Sequence, residues 1–247
     1  MKKIYPPESS NMNVFGHLEE LRKRLIIYLV VLVISAIVMF GCGKHLIRIV
    51  LSPLNDITQN LIFIHPTEVF VSYIKISLLA GFIISFPVLL YHAWAFIIPA
   101  APDRAEKSSL LWMMFGLISF LSGILFSYYI ALPAALNFLI QFGNGIAEAQ
   151  ITMEKYVSFF ILFILIGGII FEIPVTIGLL TKIGILRSSV MKKKRHYALV
   201  IMLIISAVIT PTQDIINMLV FALPMILLFE IGILFSTIIE RKNIKKS

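Results

Sequence analysis

The amino-acid sequence predicts an all-α integral membrane protein with six transmembrane helices, the fifth and sixth of them short, that form a concave bundle. Hydrophobic residues make up 59% of the 247 residues, and the mean hydropathy is +0.97. A soluble domain of this size cannot bury so much apolar surface. The charged residues are gathered into a few clusters between long apolar runs. Helices are expected because a segment in lipid must satisfy its own backbone hydrogen bonds.

Six apolar runs are candidates for crossing the bilayer. The first four have the roughly 20 residues needed for a hydrocarbon core of about 30 Å. The fifth has fourteen residues, or about 21 Å of helix, and the sixth has fifteen uncharged residues before Glu230. A re-entrant hairpin is the alternative for this last pair. The predicted spans, in one membrane domain of residues 1–247, are 25–42, 70–94, 110–132, 156–180, 197–210 and 215–239, with an amphipathic N-terminal segment, 1–24, and a tail, 240–247.

Prolines interrupt or bound several of these spans. Pro87, Pro133, Pro174 and Pro224 each remove a backbone hydrogen bond and favour a kink. One interpretation is that the helices curve only in order to pack. The other is that the kinks build a concave wall for a helical guest.

Lysine and arginine are divided unevenly between the two sides of this arrangement. Of the 21 cations, seventeen lie in the N-terminal segment, in the loops after spans two and four, and in the tail. Because cationic loops stay on the inner side of a membrane, both termini are predicted to lie in the cytoplasm, or in the stroma or matrix of an organelle. The expected location is the bacterial inner membrane or an organellar equivalent.

The sequence carries no motif of a nucleic-acid-binding protein, an enzyme or a cofactor site. The net charge of +8 comes from cations beside apolar runs, where they attract lipid headgroups rather than nucleic acid. The stretch GCGK at 41–44 lacks the first glycine and the Ser or Thr of a phosphate-binding loop. The five histidines are scattered, and the single cysteine, Cys42, cannot form an intrachain disulfide. We expect no metal, no cofactor and no catalytic residue.

Carboxylates occur twice on the predicted cytoplasmic side. Glu20 lies in GHLEELRKRL at 16–25, where leucines recur at the three- and four-residue spacing of an amphipathic helix. Asp103 and Glu106 lie in the loop after span two. Such carboxylates can hold an arginine by bidentate hydrogen bonds. The alternatives are a solvated surface helix for the first segment and pairing with the neighbouring cations for the loop.

Glu172 lies within a long apolar run, IGGIIFEIPVTIGLL at 166–180. A charged side chain near a bilayer centre costs at least about 2.5 to 3.5 kcal/mol on insertion scales, so an acid at this position indicates a partner or a function. The similar Glu230 can extend to the interface, but Glu172 is followed by eight uncharged residues. Extension to the interface therefore explains the position of Glu172 less well.

These stretches, taken in order, are similar to the TatC family, the receptor subunit of the twin-arginine protein translocase. The resemblance covers nearly the whole chain and includes all six spans. The matching stretches are HLEELRKRL near the N-terminus, SPL at 52–54, PTEVFVSYIKIS at 66–77, YHAWAFIIPA at 91–100, LP at 132–133, FEIP at 171–174, TPTQD at 210–214 and FEIG at 229–232.

The resemblance implies that the chain binds twin-arginine signal peptides of folded cargo at its cytoplasmic face and uses the proton-motive force for export. The carboxylates that bind the two arginines would be Glu20 and Glu106, with Phe96 and Arg22 in the same site. The loop after span two is one residue longer than the usual pattern. Asp103 can therefore share or replace the role of Glu106.

The resemblance also implies contacts with other subunits in the membrane. Glu172 would face a concave surface and meet polar groups of single-span partners of the TatA and TatB type, within a complex that holds more than one copy of the chain. Pro53 and Asp214 match positions that the family needs for assembly and transport. Met218 stands where the family often has glutamine.

The competing interpretation is a proton-coupled small-solute transporter or channel subunit in which Glu172 titrates. Intramembrane acids are common in such proteins. Many of them are built from two corresponding halves. Here the FEIP and FEIG stretches are 58 residues apart and lie in unmatched surroundings, which argues against this class.

Overall fold

The computed structural model of the chain describes residues 14–55, 61–97, 109–143, 150–209 and 215–244. Within these ranges the chain is helical almost throughout, and the β-type pairing is limited to one isolated bridge between Ile62 and Thr152. The helices are α1 (Val14–Gly41), α2 (Gly43–Asn55), α3 (Thr67–Ile97), α4 (Ser109–Phe126), α5 (Leu132–Gly143), α6 (Met153–Phe171), α7 (Ile173–Lys182), α8 (Ser188–Lys193), α9 (Arg195–Ile209) and α10 (Ile215–Ile244).

Five helical stretches are long and apolar enough to cross a membrane, and a sixth is shorter. The predicted all-α membrane fold is confirmed, and six spans are consistent with it. The fifth span corresponds to α9, which has 15 residues. The long stretches are Leu18–Gly41, Thr67–Phe96, Leu110–Gly143, Met153–Lys182 and Met218–Arg241, and the shorter one is Arg195–Val208.

The sixth predicted span, 215–239, lies within α10. Helix α10 has 30 residues and continues well past Glu230. The Glu230 carboxylate pairs with the guanidinium of Arg195 on α9, at 2.7 Å. An ion pair lowers the cost of placing an acid on an apolar helix.

Contacting residues establish the direction in which the spans run. Ala36 of α1 lies against Gly81 of α3, while Phe40, further along α1, lies against Phe70, earlier in α3. These two helices are therefore antiparallel. One side of the bundle is called the N-terminal face; it carries the first turns of α1 and α4 and the last turns of α3, α7 and α10. The opposite side is called the distal face; it carries α2 and α5.

Helix α6 lies at the centre of the bundle, and α1 lies at its edge. Half of the most apolar part of the Met153–Lys182 stretch is buried, whereas only 6% of the most apolar part of α1 is buried. A methyl group added to Gly123 of α4 would lie 2.3 Å from the carbonyl oxygen of Gly167 on α6. Small residues let helix backbones approach closely in lipid, where van der Waals packing drives helix association.

Two of the four prolines in the spans coincide with irregular helix. A π-helical segment, Ser127–Ala131, directly precedes Pro133, so the third span continues to Gly143 as α5 instead of ending at the predicted residue 132. The fourth span breaks at Glu172, and Pro174 lies in the first turn of α7, where a missing N–H costs no helical hydrogen bond. Helices α3 and α10 remain continuous through Pro87 and Pro224.

The close approach of α4 and α6 predicts that Gly123→Ala destabilises the folded chain by about 1–3 kcal/mol, the usual cost of overpacking. Thermal unfolding of the purified protein in detergent measures this. Gly41→Ala is the control, because nothing lies within 4 Å of a methyl group there. Equal melting temperatures for the two variants would contradict the packing described.

Candidate functional site

Glu20 lies in the second turn of α1, at the N-terminal face, and is held by an arginine one turn further on. Nε of Arg24 donates a hydrogen bond of 3.0 Å to Oε1 of Glu20, and an Nη of the same guanidinium lies 2.5 Å from that oxygen. The two side chains are 19% (Arg24) and 23% (Glu20) exposed. Oε2 of Glu20 accepts no hydrogen bond from the described residues. Among the described residues, Arg24 is therefore the group that holds Glu20.

The structure places three of the sequence-predicted site residues at this face. Glu20 is partly buried, Arg22 is exposed, and Phe96 is partly buried in the last turns of α3. Asp103, Glu106 and Asp214 lie outside the described residues.

Sequence reasoning missed two residues of this face. Arg24 follows Glu20 by four residues, a spacing at which side chains on a helix meet, so the pair could have been read from the sequence. His92 of α3 lies within electrostatic reach of Arg24. Its Nδ1 atom is buried and has no hydrogen-bond partner in the described part of the chain. No local pattern predicts that contact, because it depends on how α1 packs against α3.

Glu172 lies at the break between α6 and α7, with its carboxyl group in a crevice between helices. A methyl group built on Gly116 of α4 would lie 3.5 and 3.6 Å from the two carboxyl oxygens and 3.3 Å from Leu90 of α3. Oε1 is buried and accepts no hydrogen bond within the described residues. The hydroxyl of Ser119 donates to the backbone carbonyl of Phe171, beside the break, at 2.5 Å.

Glu172 differs from Glu230 in that its buried Oε1 atom has no hydrogen-bond partner among the described residues. Buried polar atoms in folded proteins nearly always have a partner, and an unpaired one costs about 1–3 kcal/mol. Glu230 has Arg195 at 2.7 Å. Glu172 is poised to accept or donate a hydrogen bond that the described residues do not supply.

An apolar groove lies between α4 and α10, toward the N-terminal face. Its volume is about 250 Å³. Lys182, at the end of α7, lies 5.9 Å above the ring of Trp112, at the edge of the groove. The lining residues are Leu111, Trp112, Phe115, Phe235, Ile238 and Ile239.

Pro53 lies inside α2, on the distal face. Helix α2 has one strongly apolar side, with Val50 and Leu54 almost fully buried at 4% and 3% exposure. It packs against α3 and α5. The site residues are thus distributed over both faces and the middle of the bundle.

These features define a class, a polytopic helical membrane protein with a carboxylate at one face and another in its interior. The family model described as "Sec-independent protein translocase protein (TatC)" matches residues 16–224. The chain is 34% identical over 236 residues to the TatC protein of Carboxydothermus hydrogenoformans, covering 96% of this chain and 97% of the relative. It is 35% identical to that of Aquifex aeolicus, with 94% and 98% covered.

A solved structure gives the same result. A crystal structure of the twin-arginine translocase receptor TatC is 34% identical, has a TM-score of 0.80, and is matched over 91% of this chain and 99% of that chain. The chain belongs to the TatC family, and the resemblance drawn from its motifs is confirmed. It is a membrane subunit of the twin-arginine translocase, a transport component and not an enzyme.

Proposed function

We propose that this subunit binds twin-arginine signal peptides at its N-terminal face and takes part in exporting folded cargo with energy from the proton-motive force. The observation that carries the proposal is the Glu20 carboxylate, partly buried and already bonded through Oε1 to a guanidinium. The solved relative is itself described as a receptor. Glu106, Asp103, Phe96 and Arg22 complete the proposed site.

The Arg24–Glu20 pair supports arginine as the group recognised. A guanidinium is planar and presents several donors in a fixed fork, which fits a carboxylate better than an ammonium group does. A guest arginine can bind Oε2 of Glu20 beside Arg24 or take the place of Arg24. A second carboxylate, from Glu106 or Asp103, would bind the other arginine of the pair.

We also propose that both termini lie in the cytoplasm and that the membrane is the bacterial inner membrane or an organellar equivalent. The described cations of the N-terminal face support this orientation, since cationic segments stay inside. They are Arg22, Lys23, Arg24, Lys182, Arg187, Lys192, Lys193, Lys194, Arg195 and Arg241. The distal face has four cations in its described part, namely Lys44, Arg48, Lys75 and Lys155.

This orientation predicts that a cysteine at position 213 is labelled from outside the cell and one at position 11 from the cytoplasm. The experiment uses Gln213→Cys and Asn11→Cys in a Cys42→Ala background, because Cys42 is exposed and free. A membrane-impermeant maleimide is applied to whole cells and to inverted vesicles. Labelling of position 213 from the cytoplasm alone would instead favour a re-entrant hairpin for the last two spans.

The proposed peptide site predicts that Glu20→Gln and Glu106→Gln each weaken photocrosslinking to a twin-arginine peptide by about tenfold or more, the scale of one lost hydrogen bond to a charged group. Membrane insertion should stay intact. Glu19→Gln, the exposed neighbour, is the matched control and should crosslink as the unchanged chain does. Loss confined to Asp103→Asn would move the loop contact to that residue, and normal crosslinking in all the variants would refute the site.

For Glu172 we propose a contact with a polar side chain on a single-span partner of the TatA or TatB type. Its buried oxygen without a partner supports an acceptor or donor from another chain. Hydrogen bonds between side chains contribute to helix association in membranes. Copies of this subunit would join the same complex. The alternative, a proton-coupled small-solute transporter or channel subunit, would use the same carboxyl group as a titrating relay.

The partner contact predicts that Glu172→Ala still inserts and binds signal peptide but loses partner docking and cargo export, with Glu172→Gln milder because it keeps donor capacity. Gly116→Ser should also impair docking, because its hydroxyl would reach the carboxyl group and satisfy it internally. Gly116→Ala adds the bulk without the hydroxyl and is the matched control.

The alternative function, in which the Glu172 carboxyl group is a titrating proton relay, predicts a different pattern of variant effects. Gln cannot titrate, so Glu172→Gln would abolish activity as fully as Ala and would do so in a proton-flux assay on liposomes that contain this chain alone. Normal docking and export in both Glu172 variants would remove this residue from the mechanism.

A further inference from the structure

Pro53 removes a hydrogen-bond donor from α2, and its position in the helix identifies the carbonyl that loses its partner. In an α-helix the N–H of one residue donates to the carbonyl four residues earlier. Proline has no N–H. The carbonyl of Ile49 is therefore left without its helical donor in the middle of α2, a helix of 13 residues.

A tyrosine from the third span, Tyr128, donates to this same carbonyl. The hydroxyl of Tyr128 lies 2.8 Å from the Ile49 carbonyl oxygen. The Tyr128 ring is held edge-on against Phe160 of α6, with 6.1 Å between ring centroids and 85° between planes. The freed acceptor and the donor thus meet directly.

The helix that carries Tyr128 is itself shaped by a proline. Tyr128 lies in the π-helical segment Ser127–Ala131, where the N–H of Leu132 donates to the carbonyl of Ser127. This wider turn comes just before Pro133, whose ring would clash with a carbonyl in a regular α-helix. The next residue, Tyr129, is 70% exposed. Within this segment, Tyr128 therefore bonds to α2 while Tyr129 stays exposed.

A second tyrosine bonds the next carbonyl and provides an internal comparison. The hydroxyl of Tyr156 donates to the carbonyl of Val50 at 2.6 Å, in a buried position. The helical donor to Val50 is the N–H of Leu54, which is present. The Tyr156 bond therefore does not depend on the missing N–H of Pro53, whereas the Tyr128 bond does.

We propose that Tyr128 is a positioning residue for α2. Pro53 leaves the Ile49 carbonyl free, the Tyr128 hydroxyl donates to it, and this bond holds α2 in the orientation that assembly and export require. The bond holds α2 at a fixed rotation on the distal face. Val50 and Leu54 then stay buried while His45 and Arg48 are exposed to other molecules. The part of this inference that concerns transport rests on the function proposed above.

The test is a double-mutant cycle of Pro53→Ala and Tyr128→Phe. Alanine restores the N–H, so the Ile49 carbonyl is satisfied within the helix. Each single change should reduce assembly of the receptor complex and cargo export, and the double variant should be no worse than the more severe single one. The cycle of Pro53→Ala with Tyr156→Phe should be additive. Additive losses in the Tyr128 cycle would overturn the proposal.

The difference in hydrogen exchange between α2 and α6 separates a local effect from a general loss of stability, because a general loss would speed exchange in both helices. In Tyr128→Phe, the α2 amides should exchange about two- to tenfold faster, the equilibrium factor for one hydrogen bond, with exchange in α6 unchanged. Tyr129→Phe is the matched control and should change neither. Equal α2 exchange in the two variants would refute the bond's role, even if Pro53→Ala is made in amounts too small to assay.

The two proposals can fail separately. Tyr128 lies on the distal face, so Tyr128→Phe should leave crosslinking of the signal peptide at the N-terminal face unchanged. If the unchanged chain fails to crosslink a signal peptide, the proposed function is wrong, but the exchange experiment still tests the Tyr128 bond. If crosslinking is normal and α2 exchange does not respond, the inference about Tyr128 is wrong on its own.

Discussion

Every backbone polar group in lipid must find a partner within the protein, and the rest of this structure depends on that constraint. Prolines remove backbone donors, and at Pro53 and Pro133 a side chain or a change of helix type accompanies the loss. Tyr128 serves the carbonyl freed by Pro53, a π-helical segment precedes Pro133, and Ser119 bonds to the Phe171 carbonyl beside the break in the fourth span. The irregular points of the helices are therefore also the points where helices are joined to one another.

The same constraint acts on the carboxylates. Glu68 in the first turn of α3 accepts backbone hydrogen bonds from two residues of the preceding segment, at 3.2 and 3.1 Å. Glu154 pairs with Lys75 at 2.9 Å, and Glu230 pairs with Arg195. Oε2 of Glu68 and Oε1 of Glu172 are both buried without a partner among the described residues. The Glu68 carboxylate is nevertheless held through its other oxygen, whereas the described residues supply no donor to the Glu172 side chain. This contrast supports the proposed contact between Glu172 and another chain.

The sequence allowed the fold class and the family to be predicted, because long apolar runs and ordered motifs are local patterns. It also singled out Glu172, because a lone acid in an apolar run is visible without a structure. Partners that are distant along the chain were not predictable. Tyr128 and Ile49 are 79 residues apart, and Arg195 and Glu230 are 35 apart. These contacts exist because of helix packing, and no propensity or periodicity encodes them.

The distribution of buried apolar clusters indicates which half of the bundle opens more easily. The largest core cluster includes Val50, Ala135 and Tyr156, so the distal half is held by both apolar contacts and the hydroxyl bonds to α2. Among the described residues, the clusters toward the N-terminal face are small, one around Trp94 and another around Ile233. Regions with fewer buried apolar contacts open at lower free energy. Under the proposed function, a signal peptide that binds at the N-terminal face would therefore separate helices in that half, while the distal half keeps the spans in register.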